Sequence, residues 1–226
     1  MKKIVDLTGR LENGLWDYRK LPGLEELIPP VQIESLASVK KDGFSISKVT
    51  CCTISGTYLE AGAHMIEGAK TLDKYSVERF VQPVKILRLP KQNKNALIDD
   101  KILKENAPAI EKGDALIIDT GWGEQWNKPG YVLECPNFRR NALEWILEQG
   151  ISTLGVDVPL IEAAWSEDDE ETKGGLLVEF FKSDALLIAP LVNLDKVPTG
   201  TGTLVFLPLF LKDASGAPVR VIYVQE

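Results

Sequence analysis

The sequence predicts an α/β fold in which a mixed β-sheet is accompanied by a few helices. Many short apolar segments have the length and alternation of strands, whereas only about three segments have the length and pattern of helices. Apolar residues make up 44% of the 226 residues, which is enough to bury a sizeable core. Because no internal repeat and no flexible linker divides the chain, we expect residues 1–226 to form a single domain.

The predicted strands are short runs of apolar and β-branched residues bounded by Gly, Pro, Asn or Asp. The compact apolar run ALIID at 115–119 is typical of a buried strand. The Asp42-Gly43 pair within KKDG predicts a hairpin turn between the second and third strands, and DASGAP at 213–218 joins the last two. In chain order the predicted strands are 3–7, 31–40, 44–54, 84–89, 115–119, 152–159, 185–189, 203–211 and 219–224.

Two helices are predicted with definite ends. The first is a short helix at 99–106. The second runs from 138 to 149, where Asn137 is its N-cap, Gly150 stops it, and a core face is formed by Ala142, Leu143, Trp145, Ile146 and Leu147. Residues 176–182 form a further short amphipathic segment. The acidic run SEDDEE at 166–171 is predicted to be a solvated loop or the start of a helix.

Composition excludes several functional classes. The net charge of −7, without any basic run, argues against nucleic acid as a partner. The N-terminal residues MKKIVDL turn polar too early for a signal peptide, and no apolar run reaches the ~20 residues of a membrane-spanning helix. Three cysteines do not make a disulfide framework. We therefore expect a cytoplasmic protein whose partner is a small molecule.

The stretch ISGTYLEAGAH at 54–64 carries the candidate catalytic residues, because it ends in the only histidine of the chain, His64. A histidine titrates near neutral pH and suits proton transfer, although a loop histidine can also be purely structural. Glu60 precedes it by four residues and could orient it, act as a second acid/base, or remain a surface carboxylate. Tyr58 could donate a hydrogen bond to a substrate oxygen, or could only pack within a strand.

Aromatic residues in two predicted loops are the candidate substrate-binding residues. They are expected to lie outside the core faces, where they could wall a pocket for a flat ring, pack loops together, or contact another subunit. Adjacent Cys51 and Cys52 could suggest a nucleophile, but free cysteines are more often small core residues. The four aromatic candidates are Trp16, Tyr18, Trp122 and Trp126.

Several segments together resemble the cyclase family of metal-dependent hydrolases, the family of bacterial kynurenine formamidase and isatin hydrolase. Its motif, H-x-G-T-H-x-D-x-P-x-H, can be laid on Gly56-Thr57, so that its last histidine falls on His64. The resemblance extends over nearly the whole chain and implies the family's swivelling β/β/α-like fold. The other similar segments are DLTGRLENGLWDY at 6–18, IDTGWGEQW at 118–126, LGVDVP at 154–159 and LVNLDKVP at 191–198.

The resemblance implies a metal site, yet this chain lacks most of its ligands. The family's motif ligands fall on Ile54, Tyr58 and Glu60, and its two later ligands fall near Leu177 and Ala189. Of these only Glu60 is a competent ligand at neutral pH, whereas a catalytic zinc needs about three protein ligands. His64 falls on the family's catalytic acid/base rather than on a metal ligand. We therefore expect no metal and no other cofactor.

Three hypotheses follow for the function. In the first, the chain is an enzyme that cyclises, dehydrates or hydrolyses a small organic acid, lactone or amide-like substrate by the acid/base chemistry of His64, Glu60 and Tyr58, without a metal. In the second, Glu60, His64 and another carboxylate such as Glu179 hold a rebuilt metal site. In the third, the chain only binds a small molecule. The resemblance also implies a homodimer, with Trp16 and Tyr18 closing the neighbour's pocket.

Overall fold

A mixed eight-stranded sheet forms the centre of the computed structural model, which describes residues 2–162, 175–198 and 200–225. The predicted acidic run at 166–171 lies outside these residues. The strands are β1 (Ile4–Asp6), β2 (Gln32–Ala37), β3 (Ile46–Thr50), β4 (Tyr58–Glu60), β5 (Val81–Arg88), β6 (Leu97–Ile98), β7 (Ala115–Asp119), β8 (Asn137–Phe138), β9 (Thr153–Val156), β10 (Leu186–Ala189), β11 (Gly202–Pro208) and β12 (Gly216–Gln225).

The main sheet closes on itself into a barrel. Its order is β1-β12-β11-β5-β7-β9-β10-β4, and β4 also pairs with the first residues of β12. The strands β5, β7, β9 and β10 are parallel, and the other pairings are antiparallel. All five residues of β7 are buried, as is usual for a parallel strand that is covered on both faces.

Alternate side chains of β4, β5, β7 and β10 enter two different apolar clusters. Leu59 and Ile117 belong to a cluster that also draws on β1, β11 and β12, and this cluster fills the barrel. Tyr58 and Leu116 point the other way, into a cluster that includes the apolar face of the long helix. The candidate residue Tyr58 therefore lies between the barrel wall and the covering helices.

Four α-helices are present among the described residues: α1 (Val39–Asp42), α2 (Asp100–Asn106), α3 (Arg140–Glu148) and α4 (Leu176–Lys182). The predicted helix at 99–106 is confirmed, with Asp99 as its N-cap because its side chain accepts a hydrogen bond from the Ile102 amide at 3.1 Å. None of the described helices has both the length and the apolar character needed to cross a membrane.

The predicted start of the long helix is wrong. Asn137 does not cap it, because Asn137 and Phe138 form β8, which pairs in parallel with β6. The Asn137 amide side chain donates instead to the Cys135 carbonyl at 2.9 Å. The helix begins at Arg140, and its core face is buried as predicted except for half-buried Leu147.

The hairpin of β2 and β3 is confirmed, but its predicted turn is wrong. One turn of helix, α1, separates the strands, and Gly43 ends it with a φ of 78° in the left-handed region that favours glycine. Both strands are shorter than predicted. The segment DASGAP is also more than a connection, because Gly216 to Pro218 already pair with β4.

Candidate active site

The Gly56-Thr57 pair is an anchor for β4. Gly56 has a φ of 67°, and a Cβ atom there would lie 2.6 Å from the Leu11 side chain, so both conformation and space require glycine. The Thr57 hydroxyl donates to the Pro190 carbonyl at 2.6 Å and accepts the Gly9 amide at 2.9 Å. These two bonds hold the loops that contain Gly9, Gly56 and Pro190 together at the start of β4.

Beyond this anchor, β4 places Glu60 against His64. The carboxyl oxygen Oε1 lies 3.2 Å from Nε2 of the imidazole. A short 3₁₀ turn at Gly62–His64 brings the histidine back, and the His64 amide donates to the Ala61 carbonyl at 2.9 Å. The contact predicted from their spacing is therefore present, although it spans a strand end and a turn and not one helix.

Burial governs the protonation of this pair. The Glu60 side chain is only 4% exposed, and burial raises the pKa of its carboxyl to about 8. Of the alternatives for Glu60, a surface carboxylate is thus wrong. Burial also lowers the pKa of His64, whose side chain is 29% exposed. Both shifts favour the uncharged forms, a protonated acid beside a neutral base, and the imidazole is the more exposed of the two groups.

Tyr58 makes its hydrogen bond within the protein. Its hydroxyl oxygen lies 2.6 Å from that of Tyr18, and the Tyr18 hydroxyl donates to the Pro159 carbonyl at 2.8 Å. Both phenols are buried, and desolvation holds their pKa values well above the ordinary value of 10.0. A direct hydrogen bond from Tyr58 to a substrate would therefore require that it first release Tyr18.

The four aromatic candidates do not all lie outside the core. Tyr18 and Trp122 are buried members of the cluster between barrel and helices, so the expectation for these two is wrong. The Trp122 indole donates to the Tyr131 carbonyl at 2.9 Å. Because Tyr18 is held inside its own chain, it is not available to close a neighbour's pocket.

Trp16 and Trp126 are half-buried and belong to an aromatic group that also includes Tyr131. The ring centroids lie 5.4 Å apart for the two tryptophans, 5.2 Å for Trp16 and Tyr131, and 5.7 Å for Trp126 and Tyr131. Gly9 allows this packing, because a Cβ atom there would lie 2.1 Å from the Trp126 ring. The buried Trp16 indole N–H has no hydrogen-bond partner among the residues that the structure describes. Tyr131 was not predicted as a member of this aromatic group, since it belongs to none of the recognised sequence motifs.

The adjacent thiols show no sign of activation. Cys51 and Cys52 are free and half-buried, and burial raises the pKa of Cys51. The Cys52 sulfur lies 3.2 Å from the Ser55 hydroxyl. A nucleophilic cysteine instead needs surroundings that lower its thiol pKa.

Asp157, within the LGVDVP segment, organises the glycine-rich loop after β7. It accepts hydrogen bonds from the Thr120 hydroxyl at 2.7 Å and from the amides of Thr120 and Gly123, each at 3.1 Å. Burial raises its pKa to about 6. It also contributes to a cavity of about 300 Å³ whose lining includes Arg88 and Asn193, but neither Tyr58, Glu60 nor His64.

Residues 5–163 match the family model described as putative cyclase. The chain belongs to the cyclase family. Kynurenine formamidase of Bacillus anthracis is 27% identical over 97% of this chain and 96% of its own length. Isatin hydrolase of Roseibium aggregatum is 22% identical over 97% of this chain and 90% of its own length.

The fold agrees with this assignment. A crystal structure of an isatin hydrolase bound to the product analogue thioisatinate superposes with a TM-score of 0.85 and 22% identity, covering 99% of this chain and 92% of that chain. The prediction of an α/β fold with a mixed sheet, of the type found in the cyclase family, is confirmed. The relatives named as hydrolases support an enzyme of hydrolase type.

The residues at the cyclase-family ligand positions do not fit a metal ion. Ala189 lies opposite Tyr58 in the β4–β10 ladder, and Ile54 and Leu177 are half-buried against the same apolar cluster. Within residues 2–162, 175–198 and 200–225, no three His, Cys, Asp or Glu side chains are grouped so that they could hold an ion.

Among the residues that the structure describes, the rebuilt metal site that the sequence suggested is also not formed. Glu179 is 51% exposed on α4 and pairs with Lys182 at 2.7 Å, and it does not join Glu60 and His64 in a group of ligands. What the chain retains at this place is a carboxyl group, an imidazole and two phenols.

Proposed function

We propose that this chain is a cyclase-family enzyme that acts on a small organic acid, lactone or amide-like substrate by acid/base chemistry, without the family's metal. The observation that carries the proposal is the 3.2 Å contact between Glu60 Oε1 and His64 Nε2, in which the carboxyl is buried and the imidazole reaches solvent. Hydrolysis, cyclisation and dehydration all need a positioned proton donor and acceptor of this kind.

The pair can deliver a proton as follows. Protonated Glu60 donates to Nε2 of neutral His64, so the other ring nitrogen, Nδ1, carries the hydrogen that faces a substrate. When Nδ1–H protonates a leaving oxygen or nitrogen, Nε2 takes the proton of Glu60, which becomes a carboxylate. The reverse transfer, from a water or a substrate hydroxyl, restores the starting state. Each cycle therefore neither gains nor loses a proton.

The lack of metal ligands favours activated substrates. A metal ion can lower the pKa of bound water to about 7, and an imidazole base cannot match this for an ordinary amide. We therefore place lactones and activated esters, with ring closure or dehydration, ahead of amides. Tyr58 and Tyr18 position β4 beneath the pair. Trp16 and Trp126 are proposed to contact the substrate, and Trp122 supports them through Tyr131.

The proposal is tested by turnover after metal removal. The purified chain is dialysed against EDTA and assayed on isatin, on the formamide of kynurenine and on a set of aryl lactones and esters, with and without added zinc or manganese. We expect turnover of an activated carbonyl substrate that is insensitive to EDTA, lost in Glu60→Gln and kept in the control Glu179→Gln. Turnover that requires added metal, or binding without turnover, would refute acid/base catalysis.

We also propose a homodimer, formed by the β2–β3 hairpin. A two-stranded hairpin alone is marginally stable in water, yet every residue of these strands except Ala37 and Thr50 is exposed. A second copy related by two-fold symmetry is the simplest cover for such a surface. The exposed apolar side chains of the hairpin are Ile33, Leu36, Val39, Phe44, Ile46 and Val49.

Light scattering at micromolar concentration is expected to give twice the mass of one chain. Leu36→Glu combined with Val49→Glu should give a monomer, because charge on these exposed positions opposes burial in an interface. Phe210→Glu is the matched control, since Phe210 is 86% exposed on a different loop. A monomeric wild type, or a dimer that persists in the double variant, would contradict this assignment.

A cytoplasmic location, which suits three free cysteines, remains part of the proposal.

A further inference from the structure

We infer that a hydrogen-bonded tyrosine pair, Tyr18 and Tyr58, has replaced the metal centre of the cyclase fold, so that this part of the chain is held together without a divalent cation. Tyr58 stands where the family motif has its second histidine, and its hydroxyl oxygen lies 2.6 Å from that of Tyr18. The inference shares the lack of a metal with the proposed function, but it rests on this geometry and not on acid/base catalysis by Glu60 and His64.

The direction of the hydrogen bonds is fixed by chemistry. The Pro159 carbonyl can only accept, so the single hydroxyl hydrogen of Tyr18 is the one in the 2.8 Å bond to that carbonyl. Tyr18 therefore accepts in the contact between the two phenols, and Tyr58 donates. The two hydrogen bonds therefore run in one direction, from Tyr58 on β4 through Tyr18 to Pro159 in the loop after β9, and we call them the relay.

The surroundings of the pair offer little to a cation. Ala189 faces Tyr58 across the ladder, and Ile54 and Leu177 pack on the same cluster, so three of the five ligand positions present only carbon. A phenol binds a metal ion as phenolate, whereas the hydroxyl hydrogens of Tyr58 and Tyr18 are both already engaged in hydrogen bonds within the protein. Among the described residues, a cation at this place would have to break the relay and would gain only Glu60 and the neighbouring His64.

The relay predicts an unequal cost of removing its two hydroxyls. In Tyr58→Phe, Tyr18 still bonds to Pro159, and one hydrogen bond is lost. In Tyr18→Phe, the Pro159 carbonyl and the Tyr58 hydroxyl are both left buried and unpaired, and unpaired groups are more costly than lost bonds. We expect the melting temperature to fall by roughly 2–3 °C in the first variant and by roughly 5 °C or more in the second.

The double variant Tyr18→Phe/Tyr58→Phe is expected to melt no lower than Tyr18→Phe, because it removes the orphaned Tyr58 hydroxyl. Tyr75→Phe is the matched control, since the Tyr75 hydroxyl also donates a hydrogen bond, to Asp184 at 2.7 Å, but in an exposed place. It should shift the melting temperature little. Equal effects of the two single variants, or a larger effect of Tyr58→Phe, would overturn the direction of the relay.

A metal measurement on the wild type completes the test and needs no variant to fold. After dialysis, elemental analysis is expected to find no stoichiometric zinc or manganese. The melting temperature should be unchanged, within about 1 °C, by EDTA and by a tenfold excess of either ion, because an ion that does not bind the folded state cannot stabilise it. Retention of about one ion per chain, or a rise in melting temperature that Glu60→Gln abolishes, would overturn the replacement of the metal centre.

Discussion

His64→Ala is expected to lower turnover by about 10²- to 10⁴-fold, because an acid/base group that transfers a proton in the transition state contributes a factor of this size. His64 is the only histidine of the chain, and no other imidazole can substitute for it. Its ring meets Glu60 on one side and lies edge-on to Phe181, with centroids 6.4 Å apart, on another. The measurement is kcat/KM on the substrate that the wild type turns over best.

In His64→Ala, the loss of folding stability must be measured separately from the loss of turnover. Removing the imidazole leaves the buried, protonated Glu60 without its acceptor, which costs about 1–3 kcal/mol. His64→Asn is the matched control, since its amide oxygen can accept from Glu60 but cannot carry a proton. It should restore much of the stability and none of the activity.

The comparison of Glu60→Gln with His64→Ala reports how the pair works. If the two residues act as a unit, each variant loses about as much turnover as the double variant, because such effects are not additive. A smaller loss for Glu60→Gln would mean that Glu60 only orients the ring. Should His64→Ala keep its activity per folded molecule and lose only stability, the histidine is structural and the proposed mechanism is wrong.

Local sequence patterns predicted the elements that depend on local chemistry. The run at 115–119 became β7 without any shift, since five buried residues in succession suit a parallel strand with both faces covered. The helix at 99–106 was recognisable, and its first predicted residue, Asp99, is the N-cap of α2. The start of α3 was not recognisable. Asn137 belongs to β8, because it pairs with Leu97 of β6, which lies 40 residues earlier in the chain.

The candidate site also has features that the local sequence suggests and features that only the fold determines. The spacing of four residues was sufficient to suggest the contact of Glu60 with His64, although a strand end and a turn, and not one helix, bring the two together. The burial of Glu60 was not visible, because it depends on β10 and β12 flanking β4 on both sides. The bond between Tyr18 and Tyr58 spans 40 residues and has no local signature. Sequence therefore suggested the acid and the base, while their protonation states required the fold.

Glu60→Gln is expected to remove a pH dependence from the stability of the protein. The carboxyl has an ordinary pKa of 4.5 when the chain is unfolded, and burial raises it to about 8 in the folded chain. Below pH 4.5 both states hold the proton, and the full stability is present. Between these values the unfolded state gives up its proton while the folded state keeps it, so the wild type should lose a few kcal/mol of unfolding free energy as the pH rises from about 5 to about 8.

Other titrating groups do not account for the expected difference between the wild type and Glu60→Gln. His64 has a lowered pKa, so its contribution is lost as the pH falls below the ordinary value of 6.5, on the acidic side. Tyr18 and Tyr58 have raised pKa values and stay neutral throughout. Asp157, with a pKa of about 6, changes stability in the same direction as Glu60, but it is present in both proteins and cancels in their difference.

Urea unfolding of the wild type and of Glu60→Gln between pH 5 and pH 9 measures this difference. Glutamine is neutral and can still donate to Nε2 of His64, so the two proteins should have similar stability at pH 5. At pH 8 and above the variant should be the more stable of the two, by a few kcal/mol. Glu179→Gln, at an exposed carboxylate, should follow the wild type at every pH. If the curves of Glu60→Gln and the wild type run parallel, Glu60 is already ionised in the folded protein at neutral pH. It then has no proton to pass to His64, and the imidazole would have to work as a base alone.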